Sequence, residues 1–296
     1  RDAYRLSQER TRLLARLPRH DPRAGTEIVD TYHMANAIAV TVGDLPDALT
    51  TARVAEADDI AAGQPHLTAS KFVLPLVLQG RFDEAAARAV TMWEAWQQAG
   101  RPAARWMGPA LYGMVLACGL RGDDAGRRRW LAGVSELIGA GRDPASGSNL
   151  TAVAAFTKAR IALHRGQVAA TADLPGEPWY DTPHWYSLRP YAWAIAAEAA
   201  VVGRGDDAAG RLAAASPAGD ENHWAAACLA RAAGRLSRDR QMLERSIAGW
   251  ERIEARFERA CTLMLLADRA REGRAELRAL GCPPPRQTVR TRTDCP

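Results

Sequence analysis

The sequence predicts an all-α chain, a solenoid of about six to seven helix pairs stacked side by side, and three observations carry that expectation. First, one short word recurs: a helix ends, a Gly turns the backbone, and the next helix opens on acidic residues followed by Ala. It is read in Gly80-Arg81-Phe82-Asp83-Glu84-Ala85 and in Gly43-Asp44-Leu45-Pro46-Asp47-Ala48. Its clearest copies, Gly122-Asp123-Asp124-Ala125 and Gly205-Asp206-Asp207-Ala208, stand 83 residues apart, which is two periods. Second, the marker glycines 43, 80, 122, 166, 205, 234 and 273 fall 29 to 44 residues apart, the spacing of two helices and their turns. Third, a composition that is 47% hydrophobic and rich in Ala favours helix throughout.

Taken in order, residues 2–17 read as an Arg/Leu helix, and 1–25 as a cap and linker closed by Pro18 and Pro22. The solenoid is expected over 26–282. Its first pair is 26–42 and 45–62, stopped by Gly43 and Gly63. The second is 65–79 and 82–98, where Phe82, Ala85, Ala89, Trp93 and Trp96 recur at helical spacing and bury one face on the preceding helix. The third is 103–120 and 123–138. A Gly/Asp/Pro/Ser loop at 140–149 is a natural bend, and Ser148 or Asn149 a candidate cap for the helix after it. The fourth unit starts at Leu150 and has a short second helix after Gly166; Pro175, Pro178 and Pro183 then loosen the stacking at 174–183. The fifth pair is 184–202 and 206–215, the sixth 220–234 and 239–256, and one or two helices fill 258–280. Cys282-Pro283-Pro284-Pro285 stops any helix, and 283–296 is expected to be a disordered tail.

Net charge is +5 and the pI near 9.2, but of 39 basic residues all except Lys71 and Lys158 are Arg. They alternate with Asp and Glu and form no run of five, which reads as solvated surface and makes direct nucleic-acid binding the least favoured of three readings. Five Cys show no Cys-x-x-Cys pair; Cys118, Cys228 and Cys261, in Ala/Leu runs, read as buried thiols, and a reducing cytoplasm is expected. No apolar run is long enough for a membrane span. The opening Arg1-Asp2-Ala3, without Met, is what a piece of a longer protein would show.

No motif carries chemistry. The carboxylate pairs Asp123-Asp124 and Asp206-Asp207 sit in first turns of helices, where they cap free amides. Gly203-x-Gly205-x-x-Ala208 has the letters of a dinucleotide fingerprint, but a helix precedes it where that motif needs a strand. The six His are scattered without metal-ligand spacing. No catalytic residue, metal or cofactor is expected.

The binding candidates are the aromatic and polar residues on the first helix of each pair, which lines the inner wall of such a solenoid. They are Tyr32, His33 and Asn36; Lys71; Trp106 and Tyr112; Lys158; Trp185, Arg189 and Trp193; and His223. Trp and Tyr beside Arg or Lys suit a peptide, a helix or a small ligand. The competing use of each ring is to fill space between helices.

The run His223-Trp224-Ala225-Ala226-Ala227-Cys228-Leu229-Ala230-Arg231-Ala232-Ala233-Gly234, then Trp250-Glu251-Arg252-Ile253, Phe257-Glu258-Arg259-Ala260 and Ala275-Glu276-Leu277-Arg278-Ala279-Leu280-Gly281, resembles one known region. It is the C-terminal tetratricopeptide-like (TPR-like) region of actinobacterial MalT-like and LuxR-type ATPase regulators and of related cyclase-linked ATPases. The resemblance is close over about sixty residues and one of repeat style elsewhere. The family's extra helix pair before the closing Glu-Leu step is compressed here into 266–275. The resemblance implies a right-handed hairpin solenoid that senses an inducer or partner, relays its state to an ATPase or DNA-binding domain, and takes part in transcription regulation or signalling. Its motifs are packing motifs, so it transfers no site residue. The first expectation is therefore a non-catalytic cytoplasmic interaction or sensing module, binding a protein, peptide or metabolite on the concave face. The second is an enzyme or small-molecule carrier with a pocket at 179–193, using His184 and Arg189.

Overall fold

The computed structural model describes residues 2–14, 16–17, 22–62, 65–139, 148–168 and 188–286, with the backbone alone at 22–23, 58–62 and 148–149. Among them are α-helices and no strand. In order they are α1 (Asp2–Leu14), α2 (Pro22–Val42), α3 (Leu45–Ala62), α4 (Pro65–Gln79), α5 (Phe82–Gln98), α6 (Gly108–Arg121), α7 (Asp124–Gly139) and α8 (Ser148–His164). There follow α9 (Arg189–Val202), α10 (Ala208–Glu221), α11 (His223–Ser237), α12 (Arg240–Arg252), α13 (Arg256–Leu263) and α14 (Ala270–Ala279). A short 3-10 turn, Arg105–Met107, leads into α6.

Proline opens helices more often than it closes them here. Pro46, Pro65, Pro109 and Pro190 each occupy the first or second position of a helix, where the missing N–H costs nothing. By the same rule α2 begins at Pro22, four residues before the start expected from the sequence. The helix α10 runs past its expected end at 215 and through Pro217, and Asn222 ends it by capping α11.

The turn word behaves as expected in the first half. Gly43, Gly80, Gly122 and Gly166 all have positive φ, between 73° and 80°. The residue after each returns its N–H to a carbonyl five residues back, as in Asp44 N–H to Ala39 O and Asp123 N–H to Cys118 O, both 2.9 Å. In the second half the left-handed position passes to Arg204, Arg238 and Glu254. Gly234 and Gly273 instead lie inside α11 and α14, where a Cβ would stand 2.8 Å from Leu243 and 2.6 Å from the Ala260 carbonyl. Those two glycines mark close helix approach, not a turn.

The capping expectation holds in detail at Asp123, whose carboxylate accepts the Gly126 N–H at 2.8 Å. A Cβ on Gly126 would fall 2.1 Å from that carboxylate, and one on Gly210 would fall 2.2 Å from Asp207. The repeated Asp-x-x-Gly therefore leaves room for the carboxylate over the first turn. Asp239 caps α12 in the same sense, accepting from Gln241 and Met242 N–H.

Helix α2 packs on α4, α4 on α6, α6 on α8, α8 on α9 and α9 on α11. Between them α3, α5, α10 and α12 pack against the helices on either side in sequence. The inner row then folds back on its own beginning. Tyr191 of α9 donates its hydroxyl to the Val40 carbonyl of α2 at 2.7 Å, and Asn222 donates its amide to the Thr41 carbonyl at 2.7 Å. Further on, Phe257 of α13 meets Phe82 edge-on, and Gln79 donates to Glu254. At the chain's far end Arg121 Nε donates to Leu280 O, and Arg286 N–H donates to His164 O, both at 3.0 Å. Of the tail expected from 283, residues 287–296 lie outside the described residues.

One hydrophobic core consequently runs from Leu45 to Cys282. Its centre is aromatic: Trp224 meets Phe156, Tyr191 and Trp250 at centroid distances of 5.4, 5.2 and 5.3 Å. Such pairs add about 0.5–1.5 kcal/mol each beyond the area they bury. Tyr191, Trp224 and Trp250 are fully buried. Along this stretch the end of α2 meets α9 and the start of α11, and Tyr191 and Trp224 fill the space between them.

Candidate functional site

Pro75 stands in the middle of α4 and has no N–H to give to the Lys71 carbonyl one turn back. Asn36 of α2 answers that vacancy. Its amide nitrogen donates to Lys71 O at 3.3 Å and to Ala48 O at 2.7 Å, with the side chain almost wholly buried. Beside this seam lies a cavity of about 290 Å³. From α2 it is lined by Asn36, Ala37, Val40 and Thr41, and from α4 by Ser70, Lys71, Leu74 and Pro75. The 3-10 turn and α6 contribute Arg105, Trp106, Pro109 and Ala110, and Leu150 of α8 and Leu188 before α9 complete it. Trp106 is part-exposed at 37% and stacks on His66 at 5.5 Å.

Three of the residues chosen from the sequence, Asn36, Lys71 and Trp106, thus meet on one wall. The others do not join them. Tyr32 and His33 lie a turn earlier on α2 without lining the cavity, His33 being buried. Tyr112 is half-buried against the core, where burial raises its hydroxyl pKa. The Arg189 guanidinium lies 4.2 Å over the Trp193 ring at the start of α9, next to Leu188 but off the cavity wall. Lys158 is exposed on α8. His223 is half-buried at the start of α11, its Nδ1 3.4 Å from Arg252. Trp185 and His184 lie outside the described residues.

Sequence reasoning misses Pro75, Thr41, Ser70 and Arg105. A Pro inside the apolar run Phe72-Val73-Leu74-Pro75-Leu76-Val77 was the available signal, because an interior Pro must release a carbonyl. The cavity's hydroxyls are committed as donors, Ser70 to Leu67 O at 2.6 Å and Thr41 to Ala37 O at 2.9 Å. No His, Cys, Asp or Glu is among the described lining residues, and Lys71 is the one ionisable group there besides Arg105.

A second constellation is charged and lies on α8, α9, α11 and α13. Glu258 of α13 accepts from Arg160 of α8 at 2.7 and 2.9 Å and from Arg231 of α11 at 2.7 Å. Arg231 also donates to Glu198 of α9 at 2.6 and 2.7 Å. All four side chains are buried. Burial alone would raise the Glu258 carboxyl, but Arg160 and Arg231 outweigh it and hold it at about 2. Glu198 is held low against the same burial by Arg231 and Arg235. Burial pushes the neighbouring Cys261 thiol up to about 11, which keeps it protonated and inert. His164 lies at the end of α8, edge-on to Phe257 at 5.2 Å. Burial, and then Arg160, hold its imidazole down to about 4. The sign of this network in the sequence is a lone charge inside an Ala-rich run, as at Glu198 and Arg231.

Among the described residues no three His, Cys, Asp or Glu side chains converge as a metal site, and no helix is long and apolar enough to cross a membrane. No family model matches the chain, and no curated protein matches it in sequence.

Proposed function

We propose that this chain is a non-catalytic sensing module that holds a small ligand between α2, α4, α6 and α8. In this reading its architecture is a TPR-like hairpin solenoid of a cytoplasmic bacterial regulator. The observation that carries the proposal is the cavity beside Pro75, because it gathers Asn36, Lys71 and Trp106 from three separate helix pairs around space for a ligand. The volume of about 290 Å³ lies at the lower end of the range for small-molecule sites. Succession of first helices packed on first helices, with second helices between them, supports the hairpin-solenoid reading. The burial of Tyr191 and Trp224 favours a small ligand over an extended peptide. Leu188, from the stretch to which the alternative reading assigns a pocket, is also a lining residue of this cavity.

The test is a thermal-shift screen of the intact chain against a metabolite set, repeated on Ala110→Trp. Ala110 is buried on the cavity wall, and an indole there fills it. Compounds that raise the melting temperature of the wild type should lose their effect in the variant. Hits that stabilise both proteins equally would place the ligand elsewhere and end the proposal.

A further inference from the structure

The last turn of α2 faces two ways. On one side Val40 and Thr41 line the cavity. On the other, their carbonyls hold the helices that close the row: Val40 O accepts the Tyr191 hydroxyl of α9, and Thr41 O accepts the Asn222 amide at the start of α11, both at 2.7 Å. Thr41 O lies among the terminal carbonyls that a helix leaves unpaired, and Asn222 supplies the missing donor. A third lining residue, Leu188, is the N-cap of α9, and its carbonyl accepts the Ala192 N–H at 3.0 Å. The end of α2 and the start of α9 therefore meet twice, around the cavity and at the seam behind it. Tyr191 and Asn222 are buried and do not line the cavity. The seam is tight, since a Cβ on Gly43 would stand 2.7 Å from Trp224 N and 2.9 Å from Asn222 Oδ1. Behind it α9 and α11 are tied together, Arg231 donating to Glu198 at 2.6 and 2.7 Å.

We propose that occupancy of the cavity controls closure of α2 on α9 and α11. With the seam closed, Val40, Thr41 and Leu188 stand at fixed places around a ligand. With Tyr191 and Asn222 released from α2, that side of the wall separates and the ligand loses contacts there. A ligand that touches both sides binds the closed arrangement better, and by linkage it holds the seam shut. Helix α11, which is not on the wall, then carries the state of the cavity to α9 through Arg231 and Glu198. This rests on the reading of the cavity as the binding site, and it depends on where the wall residues stand and not on their charge.

The experiment is amide hydrogen exchange of the full chain, followed by NMR, with indole as the probe, a neutral aromatic molecule suited to an apolar space of about 290 Å³. The reporter is the Ala225 N–H, which donates to Asn222 Oδ1 at 2.7 Å. An Asn222 side chain that has left Thr41 O is free to turn and releases that N–H. Ala225 is expected to exchange by opening of the seam, ahead of the slowest core amides, and to slow about tenfold with indole at about ten times its dissociation constant. Tyr191→Phe, which removes one seam bond and no lining residue, should speed the exchange about fivefold without indole and keep the slowing with it. Ala225 exchange that bound indole leaves unchanged, or that is as slow as the slowest core amides, overturns the coupling while the cavity remains a site. Indole that does not bind, or that binds Ala110→Trp equally well, overturns the cavity reading itself.

Discussion

Replacing Glu258 with Gln removes the negative charge from between two buried guanidinium groups and leaves the side chain's shape intact. Arg231 keeps Glu198, but Arg160 loses its carboxylate and is left facing a neutral amide, the Cys261 sulfur at 3.8 Å and the Phe257 ring at 5.0 Å. A carboxyl held at about 2 instead of 4.5 prefers its charged form by about 3 kcal/mol. Removing one member of a buried ion pair costs about 3–5 kcal/mol by mutational precedent. The two figures agree, and against a typical stability of about 5–15 kcal/mol the loss is large. Urea unfolding at pH 7, followed by circular dichroism and by tryptophan fluorescence, should show Glu258→Gln losing about 3 kcal/mol. The double variant Arg160→Met/Glu258→Gln should cost at least about 1 kcal/mol less than the sum of the single changes. The sign with pH follows: Glu258 contributes stability that is present above its unfolded value near 4.5 and lost as pH falls through about 2. A cost under about 1 kcal/mol, or strict additivity in the cycle, would refute the view that these charges depend on one another.

Three further outcomes are expected. His164 has its imidazole held at about 4 when folded, below its ordinary 6.5, so the unfolded chain takes up a proton that the buried ring refuses. Stability should fall by on the order of 3 kcal/mol as pH drops from 6.5 through 4, and His164→Leu should flatten that part of the curve; identical curves would contradict the burial. Gly43 and Gly122 both have left-handed backbones, but a Cβ on Gly43 would stand 2.7 Å from Trp224 N whereas Gly122 has open space. Each Ala substitution should cost about 1–2 kcal/mol for the backbone alone, and Gly43→Ala at least about 1 kcal/mol more. Equal urea midpoints would mean that α11 does not close on α2. Finally, Pro75→Ala restores an N–H for Lys71 O and should stabilise α4, by up to about 3 kcal/mol less the lost ring packing. It should also weaken ligand binding in the cavity, since Asn36 loses one of its acceptors; the urea midpoint checks the gain, and the thermal shift given by a compound that binds the wild type checks the loss.

Helix positions were largely legible because they depend on local signals. A Gly forced to positive φ, a capping Asp and a three-and-four apolar stripe are short-range facts, and Gly43, Asp123 and Trp96 deliver them. The later turns were less legible because Arg204, Arg238 and Glu254 adopt the left-handed conformation without the residue that announces it. What the pattern could not supply was the long-range closure. Whether Tyr191 and Trp224 line a groove or fill a core depends on whether α9 and α11 reach α2, and that follows from small inter-helix rotations added over several units. The binding candidates divided accordingly. Asn36, Lys71 and Trp106 share a wall because α2, α4 and the turn before α6 pack side by side there, with Asn36 meeting the Lys71 carbonyl that Pro75 leaves free, while Lys158 and His223 do not line it.

The measurement that bears most directly on the account is ¹⁹F NMR of the chain labelled with 5-fluorotryptophan, titrated with a compound that stabilises the wild type but not Ala110→Trp. The Trp106 and Trp224 resonances are assigned by Trp106→Phe and Trp224→Phe. The Trp106 signal at the cavity mouth should shift in a saturable manner, while that of the fully buried Trp224 stays in place. A titration that moves Trp224 and leaves Trp106 unchanged would contradict the assignment of the site.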